Sequence, residues 1–152
     1  MTVLPGINNQ VITTAYEWLN TPYRHQARLK HKGADCIGLI ISIAEEIYGK
    51  LPDSFVLPPY SPRWAEESGE QLMVTYGERY LTPVDISEAV PGDVLMFQML
   101  QNGPTKHAGI LVGENKIIHA YYPHGVVLTP NIIGTTSKLT HVFRLPEEIV
   151  EN

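Results

Sequence analysis

Cysteine is nearly absent from this chain: Cys36 is the only one in 152 residues. One thiol closes no internal disulfide, so no disulfide framework holds this fold. That suits a reducing compartment, or an exported protein that folds on its core alone. Basic runs are missing too. Eleven Lys and Arg stand against sixteen Asp and Glu, a formal net charge of -5. Such a balance argues against nucleic acid or an acidic membrane surface as the main partner. No window approaches the roughly 20 apolar residues of a membrane span. The opening MTVLPGINNQVITTAYEWL has no basic region followed by an apolar one. It does not read as a signal peptide, so synthesis in the cytoplasm without a leader is expected. Repeats, low-complexity segments and interdomain linkers are also lacking.

What is present fits one domain over residues 1–152. That length buries a core without staples. Hydrophobic content of 43% and charged content of 18% fit a soluble globular protein. NNQVITTAYEWLNTPY reads as a helix capped by Asn8 or Asn9, with Val11, Ala15 and Trp18 or Leu19 as its apolar stripe and Pro22 as its stop. ADCIGLIISIAEEIYGK carries the strongest helix signal, with Asp35 as N-cap and Gly49 just past the last turn. Its apolar density places it centrally. The proline-rich 51–64 reads as an ordered loop beside this helix, placed to line a cleft, and a third helix is expected over 65–80. The period then changes from helical to alternating. PGDVLMFQM is a turn and a strand, and HAGILV, KIIHAYY, GVVLT and HVFRL give four more. Helices followed by antiparallel strands make an α+β domain.

Cys36 falls in the first turn of the central helix, where unpaired N–H groups and the positive dipole end stabilise a thiolate. A small core residue is the plain alternative. Gly33 is expected to keep the approach to the sulfur open. A nucleophilic thiol needs a base. Six histidines are available, at 25, 31, 107, 119, 124 and 141. His107 and His119 sit in consecutive strands joined by Gly113-Glu114-Asn115. A three-residue hairpin loop sets Val112 opposite Lys116 and Gly109 opposite His119. The two histidines then share a sheet face as diagonal neighbours, about 7–8 Å apart at the backbone. Gly109 leaves room for the His119 ring. A two-residue loop would put the rings on opposite faces. Cys36 as nucleophile, His107 as base and His119 as the group orienting it form a triad with a thiol for the hydroxyl.

TPYRHQ (21–26), GADCIGLI (33–40), PGDVLMF (91–97) and HAGILVGENKIIHA (107–120) together resemble the NlpC/P60 cysteine peptidases, over about residues 12–145. The resemblance implies a minimal papain-like α+β domain, N-terminal helices on an antiparallel sheet of about five strands. It implies cleavage of peptide or isopeptide bonds in peptidoglycan stem peptides, with no cofactor. The family's Cys, His and third polar residue fall on Cys36, His107 and His119. Its tyrosine falls on Tyr23, as a donor at the oxyanion or substrate site. Asp35 is read as the helix cap or a binder of a substrate amine, rather than as a base. Arg24 is a candidate for a substrate carboxylate, with an ordinary surface arginine as the simpler reading. Pro91-Gly92-Asp93 is read as a turn with no chemistry.

Two departures stand out. Ile37 follows the cysteine where many members have Ser against the substrate's free amine, and His25-Gln26-Ala27 replaces Trp-Gly-Gly. They bear on specificity more than on reaction type. They also resemble phage-tail and gene-transfer-agent members, whose tail proteins would deliver the enzyme to the wall. Three other functions are open to the same residues. A zinc hydrolase could ligate through Cys36, His107 and His119. A non-catalytic relative could keep the fold as a structural or interaction module. A thiol hydrolase could act on amide or acyl bonds outside the wall. Oligomeric state has no signal in the sequence.

Overall fold

The computed structural model describes residues 4–60, 72–99, 103–130 and 138–151. Helix α1 spans Gly6–Glu17 and starts after Pro5, whose ring fixes φ at the entry. It begins earlier than an Asn8 or Asn9 cap requires. Asn8 instead turns inward, where its amide donates to the Pro91 carbonyl and to Asp93 Oδ1, each at 2.9 Å. The interior competes for that polar side chain and wins it from the cap position. Val11, Ala15 and Trp18 are buried as the apolar stripe requires.

Strands β1 (Arg28–Leu29) and β2 (Gly33–Ala34) form a small antiparallel ribbon leading into helix α2, Cys36–Tyr48. Asp35 caps α2, its Oδ1 accepting from the Gly38 N–H at 2.7 Å. Gly49 closes it in the left-handed conformation, φ 78°. A cap of this kind is worth about 1 kcal/mol. Gly38 is also required for packing, because a Cβ there would run into the Ala27 carbonyl oxygen. Helix α3 covers Leu72–Tyr80. The remainder of the expected third helix, and residues 61–64 of the proline-rich loop, lie outside the described residues.

Among the described residues the second half forms an antiparallel sheet of six strands, one more than expected. Strands β3 (Thr82–Val84), β4 (Val94–Gln98), β5 (Thr105–Val112), β6 (Lys116–Tyr121), β7 (Gly125–Pro130) and β8 (Lys138–Arg144) lie in the order β3-β8-β4-β5-β6-β7. The extra strand, β3, pairs with β8 at the sheet edge. The β5–β6 hairpin turns through Gly113–Asn115, with Val112 opposite Lys116, as the sequence requires.

Alternation sorts the two faces. Val94, Met96, Ala108, Ile110, Ile118 and Val126 join the main core with α1 and α2. Leu95, Phe97, Ile117 and Val142 form a smaller cluster on the other face. His107 pairs with Phe97, so it shares that second face, and His119 follows Ile117 onto it. Asp93 ties the halves together. Fully buried, it accepts from Asn8 of α1, from the Val90 N–H at 2.9 Å, and from Arg144 of β8 at 2.8 and 3.0 Å. Among the described residues no helix is long and apolar enough to cross a membrane.

Candidate active site

His107 and His119 meet. Nε2 of His107 lies 2.7 Å from Nδ1 of His119, and the ring centroids are 4.9 Å apart. The hairpin register accounts for this. A Cβ on Gly109 would lie 3.0 Å from the His119 Cβ, so the glycine clears the second ring. Tyr121 stacks on His119 at 5.1 Å, and Phe97 flanks His107 at 6.3 Å. His119 is fully buried and His107 nearly so. Burial holds both rings neutral: His107 is pulled down to about 3, with His119 as a second cause, and His119 to about 4.

Helix α2 packs on the opposite sheet face, yet its first residue reaches this strand. The β5–β6 ladder pairs Val112, Leu111 and Ile110 with Lys116, Ile117 and Ile118, then ends before His107. There Cys36 Sγ comes within 3.9 Å of the Lys106 carbonyl oxygen, and the Ala108 N–H points at it. The sulfur is therefore held by the backbone on both sides of His107. The thiol is not the relaxed thiolate that a helix N-terminus suggests. N–H groups of Ala108, Ile37 and Cys36 do pull it down. Burial, with the Asp35 charge second, outweighs them and pushes it up to about 12. Enclosing an anion costs more than a half-charge at a helix end returns.

Around the sulfur, Tyr23 is half-buried and bridges to Ala34 of β2. Burial first, then Cys36 and Asp35, hold its phenol above the ordinary value, so it stays an O–H donor. Asp35 is occupied on both oxygens. Besides Gly38, it accepts from the Gln26 N–H at 2.8 Å and the Tyr60 hydroxyl at 2.6 Å. That leaves the cap in place. Arg24 is exposed, its stem laid over Gly33. Gly33 thus makes room for Arg24 rather than for an approach to the sulfur.

Both departures from the family pattern acquire places. Ile37 is buried and lines an apolar cavity with Ile40, Ala44, Met73 and Tyr80. Its side chain faces the core. His25 and Gln26 both contact the Tyr60 carbonyl, the former at 2.6 Å. They fasten the proline-rich loop over the start of α2. A cleft lined by Gln26, Gly38, Leu57, Pro59 and Tyr60 runs there. Sequence reasoning missed Tyr60 because the clasp joins segments 25 and 35 residues apart. It also missed Thr129, whose hydroxyl lies 2.9 Å from His119 Nε2. Strand alternation puts Thr129 on the His119 face, a signal readable once β6 and β7 are registered. Among the described residues no three His, Cys, Asp or Glu side chains converge to hold a metal ion.

Residues 20–143 match the model of the NlpC/P60 family. The chain is 29% identical over 127 residues to the probable endopeptidase NlpC of Escherichia coli, covering 84% of this chain and 68% of that protein. The fold is similar to the NlpC/P60 domain of the peptidoglycan hydrolase SagA, with a TM-score of 0.59, 21% identity, and coverage of 91% of this chain and 98% of that one. It is also similar to RipD of Mycobacterium tuberculosis, described as a non-catalytic domain adapted to peptidoglycan binding, with a TM-score of 0.56, 15% identity, and coverage of 94% and 100%.

Proposed function

The chain belongs to the NlpC/P60 family, and from that premise we propose that it is a thiol-dependent hydrolase of amide bonds in peptidoglycan stem peptides. One observation carries the proposal. Cys36 Sγ is held against the backbone of Lys106 and Ala108, on either side of a His107 that is hydrogen-bonded to His119. A scaffold needs no such chain of reactive groups.

The free site holds thiol and imidazole neutral. On attack, His107 takes the Cys36 proton as the sulfur bonds to the substrate carbonyl carbon. The Cys36 N–H and the Tyr23 hydroxyl stabilise the oxyanion. As the C–N bond breaks, His107 returns the proton to the leaving amine, and water then hydrolyses the thioester with His107 as base. His119 orients His107 and stabilises its charged form. Asp35 fixes the first turn that carries the nucleophile. Arg24, exposed with its stem over Gly33, is the candidate partner for a substrate carboxylate. Delivery by phage-tail proteins rests only on Ile37 and the Tyr-Arg-His-Gln form.

Purified peptidoglycan digested with wild type and with Cys36→Ala tests this by mass spectrometry of the released fragments. New amine ends with wild type alone are expected, and they identify the bond. No release from several wall types, with Cys36 inert to alkylation, would instead leave a binding module of the RipD kind.

A further inference from the structure

The histidine pair has two possible neutral arrangements, and only one leaves His107 able to take a proton. If His119 carries its proton on Nδ1, it donates to His107 Nε2. His107 then bears its proton on Nδ1 and offers no free nitrogen. If His119 carries its proton on Nε2, then Nδ1 accepts from His107 Nε2–H and the Nδ1 of His107 is left basic. Whatever binds His119 Nε2 decides between them.

Thr129 is that group. Its Oγ1 lies 2.9 Å from His119 Nε2 and 3.2 Å from the Pro130 carbonyl oxygen. A hydroxyl has one proton. With that proton given to the carbonyl, which can only accept, the oxygen takes its other hydrogen bond from His119 Nε2–H. We propose that Thr129 is a positioning residue that fixes the His119 tautomer, and through it makes Nδ1 of His107 the general base. This rests on the hydrolase reading of Cys36 and His107.

Burial makes the effect large. His119 is fully enclosed, so Nε2 has no water to turn to. Without the threonine oxygen, an Nε2–H is a stranded buried donor. A bare Nε2 lone pair is the cheaper alternative, and it selects the unproductive arrangement. The Thr129 side chain is half-buried on β7, an edge strand, so its replacement disturbs little of the main core.

The test is ring nitrogen NMR on the full chain labelled with 15N-histidine, beside Thr129→Val and Thr129→Ser. Wild type should show His107 and His119 both protonated on Nε2. Thr129→Val should move the His119 proton to Nδ1 and lower the rate of wall-fragment release by roughly a hundredfold or more, the low end of the range for a lost general base. Thr129→Ser should restore the wild-type tautomer and most of the rate. A wild-type His107 protonated on Nδ1, or unchanged tautomers in Thr129→Val, would overturn the role. If wild type releases no fragments and its thiol is inert, the hydrolase reading falls, and the tautomers still decide whether Thr129 sets the pair.

Discussion

Two buried aspartates occupy similar positions in the sequence pattern, each before an apolar element, and they do different work. Asp93 is closed by a guanidinium and by donors from α1 and its own turn. Its partners come from residues 8 and 144, so it locks the ends of the chain to the sheet. Asp35 is closed by neutral donors, two backbone N–H groups and the Tyr60 hydroxyl. His25 Nδ1 lies 3.9 Å from it, but among the described residues no arginine or lysine is paired with Asp35, and its charge is felt at Cys36. A carboxylate paired with arginine is spent on the fold. One held by neutral donors still projects a field, and Cys36 sits inside it.

The largest effect that separates the two should come from Asp93→Ala. Removing one partner of a buried ion pair costs about 3–5 kcal/mol. The lower end is expected, because the Arg144 side chain is 28% exposed and regains some water. Urea unfolding should show the loss, while Cys36 alkylation per folded molecule stays as in wild type. A changed alkylation rate would break the division between lock and site.

The site region should also carry the pH sensitivity. His107 and His119 have depressed values in the fold, about 3 and 4. The unfolded chain binds protons near pH 6.5 that the folded site refuses, so stability is full above that value and is lost as pH falls toward 4. At pH 5 the loss is about 2 kcal/mol for each fully buried histidine. Thermal unfolding between pH 7 and 5 should show it, and His119→Asn should flatten the slope. An equal slope in that variant would place the pH dependence elsewhere.

Asp35→Asn is the smallest and most discriminating change. Asparagine keeps the Gly38 cap, but its amide nitrogen cannot accept from the part-buried Gln26 N–H and Tyr60 hydroxyl, so stability should fall by about 1 kcal/mol. The field on Cys36 is removed, and its thiol value should fall. Alkylation followed against pH should shift to lower pH. An unshifted profile would mean that the Asp35 charge does not reach the sulfur.

Much of this was legible in the residues. Asp35 and Gly49 bound α2 because capping chemistry is local. The His107–His119 contact followed from one loop length, since side-chain parity fixes a face. Long-range competition was not legible. Asn8 looks like a cap until Asp93 arrives from the other half of the chain. Gly33 looks like an open approach until Arg24 lies over it. Ile37 looks like a specificity change until its side chain is seen in the core. The thiol's raised value has the same origin, because enclosure by distant strands outweighs the helix end. Thr129 and Tyr60 carry no signal of their own, and their roles exist only once strand register and loop path are set.

The most direct test of the central claim is the alkylation rate of Cys36 by iodoacetamide at neutral pH, in wild type and in His107→Ala. If His107 takes the thiol proton, the variant should react much more slowly while remaining folded. Equal rates in the two folded proteins would show that Cys36 and His107 do not act together, and the hydrolytic site would not stand.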